Sequence, residues 1–244
     1  MENRLQAIHD IVLPSDPINM QLEELYRKLW HSYEKICAWH PNRQLSNIYL
    51  LTVPEEFIKA KIKILILGKE TQGWGGEFKD TPSITELRQL YKLYVHEEKG
   101  NQAAFMRFVQ WILTIHDGIE VLPDNIIKIG KKSRSGHYRS VAREQMNILP
   151  VVQEEIRIIN PDVIICPTSN IPAYNEYLTA MFGSYTEEVL QKDLWVSVRR
   201  YDTIKEIPVI ICPHPQGKST EQLDAVKYTI AEYIRRIYDS LQMN

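Results

Sequence analysis

Two side chains, a carboxylate and an imidazole, stand where apolar runs give way to loops. Glu70 lies two residues beyond the run Lys61-Ile62-Lys63-Ile64-Leu65-Ile66-Leu67-Gly68, and His214 sits between Pro213 and Pro215 after Pro208-Val209-Ile210-Ile211-Cys212. An anion beside a carbon that gains positive charge lowers a barrier, and so does a hydrogen-bond donor beside a leaving group that gains negative charge. Asn125 opens a further apolar segment, Asn125 to Ile129, that reads as a strand.

The loops carrying these groups have their own signatures. Gly68-Lys69-Glu70-Thr71-Gln72-Gly73-Trp74-Gly75-Gly76-Glu77 holds four glycines in ten residues, so the backbone can approach a ligand closely or take positive φ. A flexible turn has the same composition. Neither GxGxxG nor GxxxxGK[ST] occurs here. Gly217-Lys218-Ser219-Thr220 resembles the end of a phosphate-binding P-loop, but the glycine needed five residues before Gly217 is Cys212, and the match fails. Lys218, Ser219 and the start of the following helix could still hold a phosphate through backbone amides.

The elements that must position these groups alternate along the chain. Helical spacing runs from Pro17 to Trp39 with Asp16 as N-cap, and again over Ser83 to Glu98, Gln102 to His116, Val141 to Ile158, Pro172 to Phe182 and Thr220 to Leu241. Short β-branched runs end at Leu67, Ile129, Cys166 and Cys212, and Leu194 to Val198 reads as an edge strand. Strands alternating with helices predict an α/β fold: a three-layer α/β/α sandwich around a mainly parallel sheet of about four strands. No linker or repeat divides the sequence, so residues 1–244 read as a single domain with 1–60 as an N-terminal helical extension packed on it. In such sheets chemistry collects where strands hand over to loops at their carboxyl ends.

The two loops together resemble the signature motifs of the uracil-DNA glycosylase superfamily, which read GQDPYH and HPSPLS in its best-known branch. Asp124-Asn125-Ile126-Ile127-Lys128 looks like the TNVVK strand of the thermophilic branch, and the order acid, asparagine, histidine is also similar. The resemblance runs from about Lys61 to the end of the last helix. It implies a DNA glycosylase that flips a pyrimidine from the helix and hydrolyses its N-glycosidic bond, leaving an abasic site. Glu70 then falls on the acid that positions water and stabilises the oxocarbenium ion. Asn125 falls on the base-reading amide, and His214 on the donor to the pyrimidine O2. Gly68, Gln72 and Gly73 fall around the base, with Trp74 and Phe78 as candidates for the ring that stacks on it. No metal or redox cofactor is implied.

Departures from the motifs bear on the substrate. Glu70 stands for aspartate and is one methylene longer; Thr71 stands for proline, and Gln216-Gly217 for Ser-Pro. Gln72 replaces the tyrosine that excludes a C5 methyl in the uracil-specific branch, so the expected target is uracil or a C5-modified pyrimidine. An alternative is a defence enzyme that excises glucosylated hydroxymethylcytosine from phage DNA. The leucine wedge and the iron–sulfur cysteines of the family are missing.

The densest positive cluster follows the proposed base-reading strand: Lys128, Lys131, Lys132, Arg134, Arg139 and Arg143, with His137 and Tyr138. Basic side chains among glycine and serine suit a loop that tracks phosphates, and with Gln216, Lys218 and Ser219 they form the expected DNA contacts. A solvated loop would look the same. Net charge is −2, so a DNA-binding face must come from such local clustering. The three cysteines, Cys37, Cys166 and Cys212, have no metal-ligand spacing and read as reduced thiols. The aromatics Trp30, Trp39, Phe105, Phe108 and Trp111 read as core, and His9, His31, His40, His96 and His116 receive no role. With no signal-peptide pattern and no apolar run of membrane-spanning length, the reading is a cytoplasmic monomer whose partner is DNA, with no membrane and no obligate protein partner. Two other classes remain open. A non-enzymatic DNA-binding relative would lose little when Glu70 and Asn125 are replaced, and a nucleotide-handling α/β enzyme would be indifferent to the basic cluster.

Overall fold

The computed structural model describes residue 8 and residues 11–78, 83–97, 104–132 and 136–242. The chain divides into two compact units interleaved in sequence: unit 1 holds Met1–Glu55, Lys69–Gly100 and Asp124–Asn160, and unit 2 holds Glu56–Gly68, Asn101–Pro123 and Pro161–Asn244.

Unit 2 is an α/β unit built on a sheet in the order β2-β1-β3-β6-β5-β4. Its strands are β1 (Ile62–Gln72), β2 (Ile119–Lys131), β3 (Val163–Cys166), β4 (Tyr185–Gln191), β5 (Val196–Tyr201) and β6 (Val209–Ile211), and both β1 and β2 continue into unit 1. β1, β3 and β6 run parallel, with Ile66 opposite Ile165 and Ile165 opposite Ile210. Ile64 to Leu67 and Val163 to Cys166 are buried without alternation, as strands covered on both faces are. On one face Ile62, Ile64, Ile66, Val163, Ile165, Val198 and Ile210 pack against Phe108, Val109 and Ile112 of α4 (Ala104–Leu113) and Ile230 and Ile234 of α8 (Thr220–Gln242).

The sheet differs from the sequence expectation in two ways. It has six strands rather than four, and it is mixed: β5 runs antiparallel to both β6 and β4. The segment expected as an edge strand is the interior β5, and β4 lies outside it. β4 gave no signal because it is exposed along almost its whole length and shows no apolar alternation. Backbone pairing holds it, with Glu187 bonded to Ser197 and Arg199 of β5.

Unit 1 gathers helices α1 (Pro17–Trp39), α3 (Ile84–Lys92), α5 (Arg139–Ile148) and α6 (Val151–Ile159) with the ends of β1 and β2. α2 is the short Glu55–Lys59, and α7 (Pro172–Phe182) belongs to unit 2. Asp16 caps α1 as expected, its side chain accepting from the Asn19 backbone N–H at 3.0 Å, and Pro17 opens the helix without wasting a donor. The helix expected over Val141 to Ile158 is two helices. Pro150 has no N–H to donate and pushes Leu149 out of the helical region, to φ −130° and ψ 72°. Trp39, expected in the core, is 49% exposed beside Lys35. Among the described residues no helix is long and apolar enough to cross a membrane.

Candidate functional site

Glu70 lies on the part of β1 that belongs to unit 1, and a turn closes on it. Its Oε1 accepts from the Gly136 backbone N–H at 2.9 Å, and its Oε2 stands 3.8 Å from His137 Nδ1. Both side chains are largely buried, 14% and 11% exposed. Gly136 has φ +90°, a conformation L side chains rarely adopt, and this aims its N–H at the carboxylate. A carboxylate so held is directional and can fix a water molecule. Gly136→Ala should cost about 1–3 kcal/mol, measured as a lower urea midpoint; an unchanged midpoint would mean this backbone is not held.

The glycine loop after Glu70 is pinned rather than flexible, and the residue responsible is Asn47, which no motif flagged. Asn47 Nδ2 donates to the carbonyls of Gly75 (2.8 Å) and Glu77 (3.2 Å), and its Oδ1 accepts from Tyr33 Oη (3.1 Å). Gly75 has φ +62°, and a Cβ there would sit 2.8 Å from Leu87 Cδ2, so glycine is required. Gly73 is buried, and Gln72 closes β1. The two candidate stacking rings are packed already: Trp74 against Tyr49 (4.5 Å) and Tyr94 (5.6 Å), and Phe78 edge-on to Tyr33 (5.3 Å).

Asn125 is half-buried on β2, and its amide makes no hydrogen bond with the described residues. Its backbone is fixed from beneath: Asp124 Oδ1 accepts from the Asn125 N–H at 2.7 Å and also from Lys128 Nζ. Lys128, expected at a phosphate, is fully buried and paired with Asp124 and with Glu155 Oε2 (2.6 Å). Its position on β2 turns it into the unit, where a cation is tolerated only with such partners. Tyr26 Oη donates to Glu155 Oε1 at 2.7 Å and accepts from the Leu51 N–H at 3.0 Å.

Two carboxyls around one ammonium hold one charge too many for a buried site. Burial, with Asp124 alongside, pushes Glu155 up to about 8 against the pull of Lys128, and burial also raises Asp124. Between the ordinary carboxyl range and about pH 8 the folded chain keeps a proton that the unfolded chain has released. Glu155 therefore favours folding most in acid, and that contribution declines as pH rises to 8. Relative to Glu155→Gln, the wild type should lose stability from pH 5 to pH 8; parallel urea midpoints across that range would contradict this.

The remaining basic residues divide. Lys131 and Arg43 flank the Tyr138 ring at 5.0 and 4.5 Å, Lys132 pairs with Glu77 at 2.7 Å, and Arg139 and Arg143 are exposed. Arg43 extends the basic surface of unit 1, although nothing in the sequence ties it to a cluster almost a hundred residues on. His137, expected at phosphates, instead faces Glu70. Arg134 lies outside the described residues.

In unit 2, Gly68 is buried in β1 and His214 follows β6. Ser169, itself at φ +57°, anchors the histidine loop: its Oγ accepts from the His214 N–H at 3.0 Å, and its own N–H donates to Cys212 O at 2.9 Å. His214 Nδ1 accepts from the Gln216 N–H at 3.2 Å, so the neutral ring carries its proton on Nε2 and is a donor there. Ser219 caps α8, with its Oγ accepting from the Gln222 N–H at 3.3 Å, while Gln216 and Lys218 are exposed. Burial pushes the Cys37 and Cys166 thiols up to about 12 and raises Cys212 also, which removes all three as nucleophiles. Among the described residues no cluster of His, Cys, Asp and Glu could hold a metal ion.

No protein-family model matches this sequence, and no curated protein matches it.

Proposed function

We propose that this chain is a DNA glycosylase, a divergent relative of the uracil-DNA glycosylases, that hydrolyses the N-glycosidic bond of a flipped-out uracil or C5-modified pyrimidine. The observation that carries the reading is the treatment of Glu70, a largely buried carboxylate gripped by the Gly136 N–H and facing His137. Such an anion positions water and stabilises the positive charge that develops on the sugar. The resemblance assigns His214 the role of donor to the leaving base, and Asn125, its backbone held by Asp124, the reading of the base edge. Lys131, Lys132, Arg43, Arg139 and Arg143 give the phosphates a basic surface. In fold, the α/β class and the parallel strands β1, β3 and β6 are compatible with that superfamily, whereas the antiparallel β4 and β5 lie outside its four-stranded pattern.

Base release tests this. Uracil-containing oligonucleotides, single- and double-stranded, and DNA bearing glucosylated hydroxymethylcytosine are incubated with the protein, treated with alkali and analysed by mass spectrometry. The expected result is strand scission at the target with the free base in solution. Binding without release from any substrate would replace the enzyme with a DNA-binding module.

A further inference from the structure

Beside the histidine loop, unit 2 contains a cavity of about 600 Å³ over the antiparallel part of its sheet, lined by Asn175, Tyr185, Glu187, Trp195, Ser197 and Arg199 among others. A smaller one of about 270 Å³, lined by Ser169, Pro213 and Lys218, shares Asn170 and Trp195 with it. The larger lies in the size range of small-molecule sites. We propose that it binds a pyranose sugar.

Trp195 provides the first argument. It ends the four-residue turn between β4 and β5, where its N–H donates to Lys192 O at 3.2 Å. Hairpins built this way place a left-handed residue at this point, ordinarily glycine. Here it is a tryptophan at φ +56° that stays 62% exposed, gaining little burial in return for the strain. Strained residues cluster at ligand clamps. An exposed indole edging a cavity offers a flat apolar face of the kind that the C–H face of a sugar covers.

The floor provides the second. Arg199 is buried, with its guanidinium 4.4 Å from the Tyr185 ring; its Nε donates to Glu187 Oε1 (2.8 Å) and its Nη1 to Asn175 Oδ1 (2.8 Å) and Tyr201 Oη (3.4 Å). Ser197 Oγ donates to the same Glu187 oxygen, and Asn175 Nδ2 donates to Asn170 Oδ1, both at 2.8 Å. The chain Asn170–Asn175–Arg199–Glu187–Ser197 is thus pre-set. Glu187 Oε2 and Arg199 Nη2 make no hydrogen bond with the described residues. Adjacent donors and acceptors suit vicinal hydroxyls, each of which both gives and takes a hydrogen bond. The guanidinium is already neutralised by Glu187, which disfavours a phosphate.

The sugar has two sources, a free monosaccharide or a hexosyl group carried by a DNA base; only the second depends on the glycosylase reading. The wild type and Trp195→Gly are titrated by NMR with methyl α-D-glucopyranoside and, separately, with oligonucleotides containing hydroxymethylcytosine with and without its glucose. Glycine relieves the positive φ, so the variant should melt no lower than the wild type. It should nevertheless bind the free glycoside, or discriminate the glucosylated oligonucleotide, about tenfold less well. Loss with the glycoside identifies a free-sugar site, and loss confined to the oligonucleotide pair identifies a base substituent. Wild-type indifference to glucose in both forms, or affinity unaltered in Trp195→Gly, would overturn the proposal. Base release is not read here, so the two proposals fail separately.

Discussion

Glu70→Gln is expected to slow base release by about 10²–10⁴-fold while leaving DNA affinity within a fewfold of the wild type. The amide oxygen can still accept from the Gly136 N–H, so the turn that closes on residue 70 should survive. What disappears is the negative charge and the ability to take a proton from water. The measurement is single-turnover release on the best substrate, paired with DNA binding by fluorescence anisotropy. A variant that releases base at the wild-type rate would remove Glu70 from the chemistry. A variant that fails on both measurements, with a lowered melting temperature, would assign the carboxylate to the architecture of unit 1.

Lys128→Met should be the most damaging substitution for stability. The ammonium is fully buried between Asp124 and Glu155, and removing one partner of such a group typically costs about 3–5 kcal/mol. The methionine fills most of the volume, so the loss reports the orphaned Asp124 charge rather than a cavity. Adding Asp124→Asn should restore part of it, because the amide can still receive the Asn125 N–H without a charge. Urea denaturation of the two variants separates these contributions. A Lys128→Met protein as stable as the wild type would show that the ammonium contributes nothing net. If Lys128 contacted phosphate, the change would instead reduce the salt dependence of DNA binding and leave the urea midpoint alone.

The contrast between Lys128 and its neighbours shows where the sequence stops being informative. Lys128, Lys131 and Lys132 are equivalent in a charge count, yet β2 turns the first into the protein and leaves the other two half-buried. Its acidic partners are Asp124, four residues away, and Glu155, on a helix in a later segment. The side chains of a strand alternate in direction, but which face is covered depends on elements the strand itself does not encode. Asn47 and Gly136 were invisible for the same reason, since each acts on residues of another segment. β4 escaped because hydrophobic patterning detects burial, and β4 is exposed.

The sequence by itself determined the α/β class, the apolar runs that become β1, β2, β3 and β6, the cap of the first helix and the loops that bear Glu70 and His214. All of these follow from local composition and periodicity, which act over a few residues. Only the tertiary structure decided that the sheet is mixed and six-stranded, that Lys128 is a buried counter-ion, that a glycine N–H grips Glu70, and that a strained Trp195 edges a polar cavity. Those features arise from groups brought together across long stretches of chain, where burial and partner geometry rather than residue type set what a side chain can do.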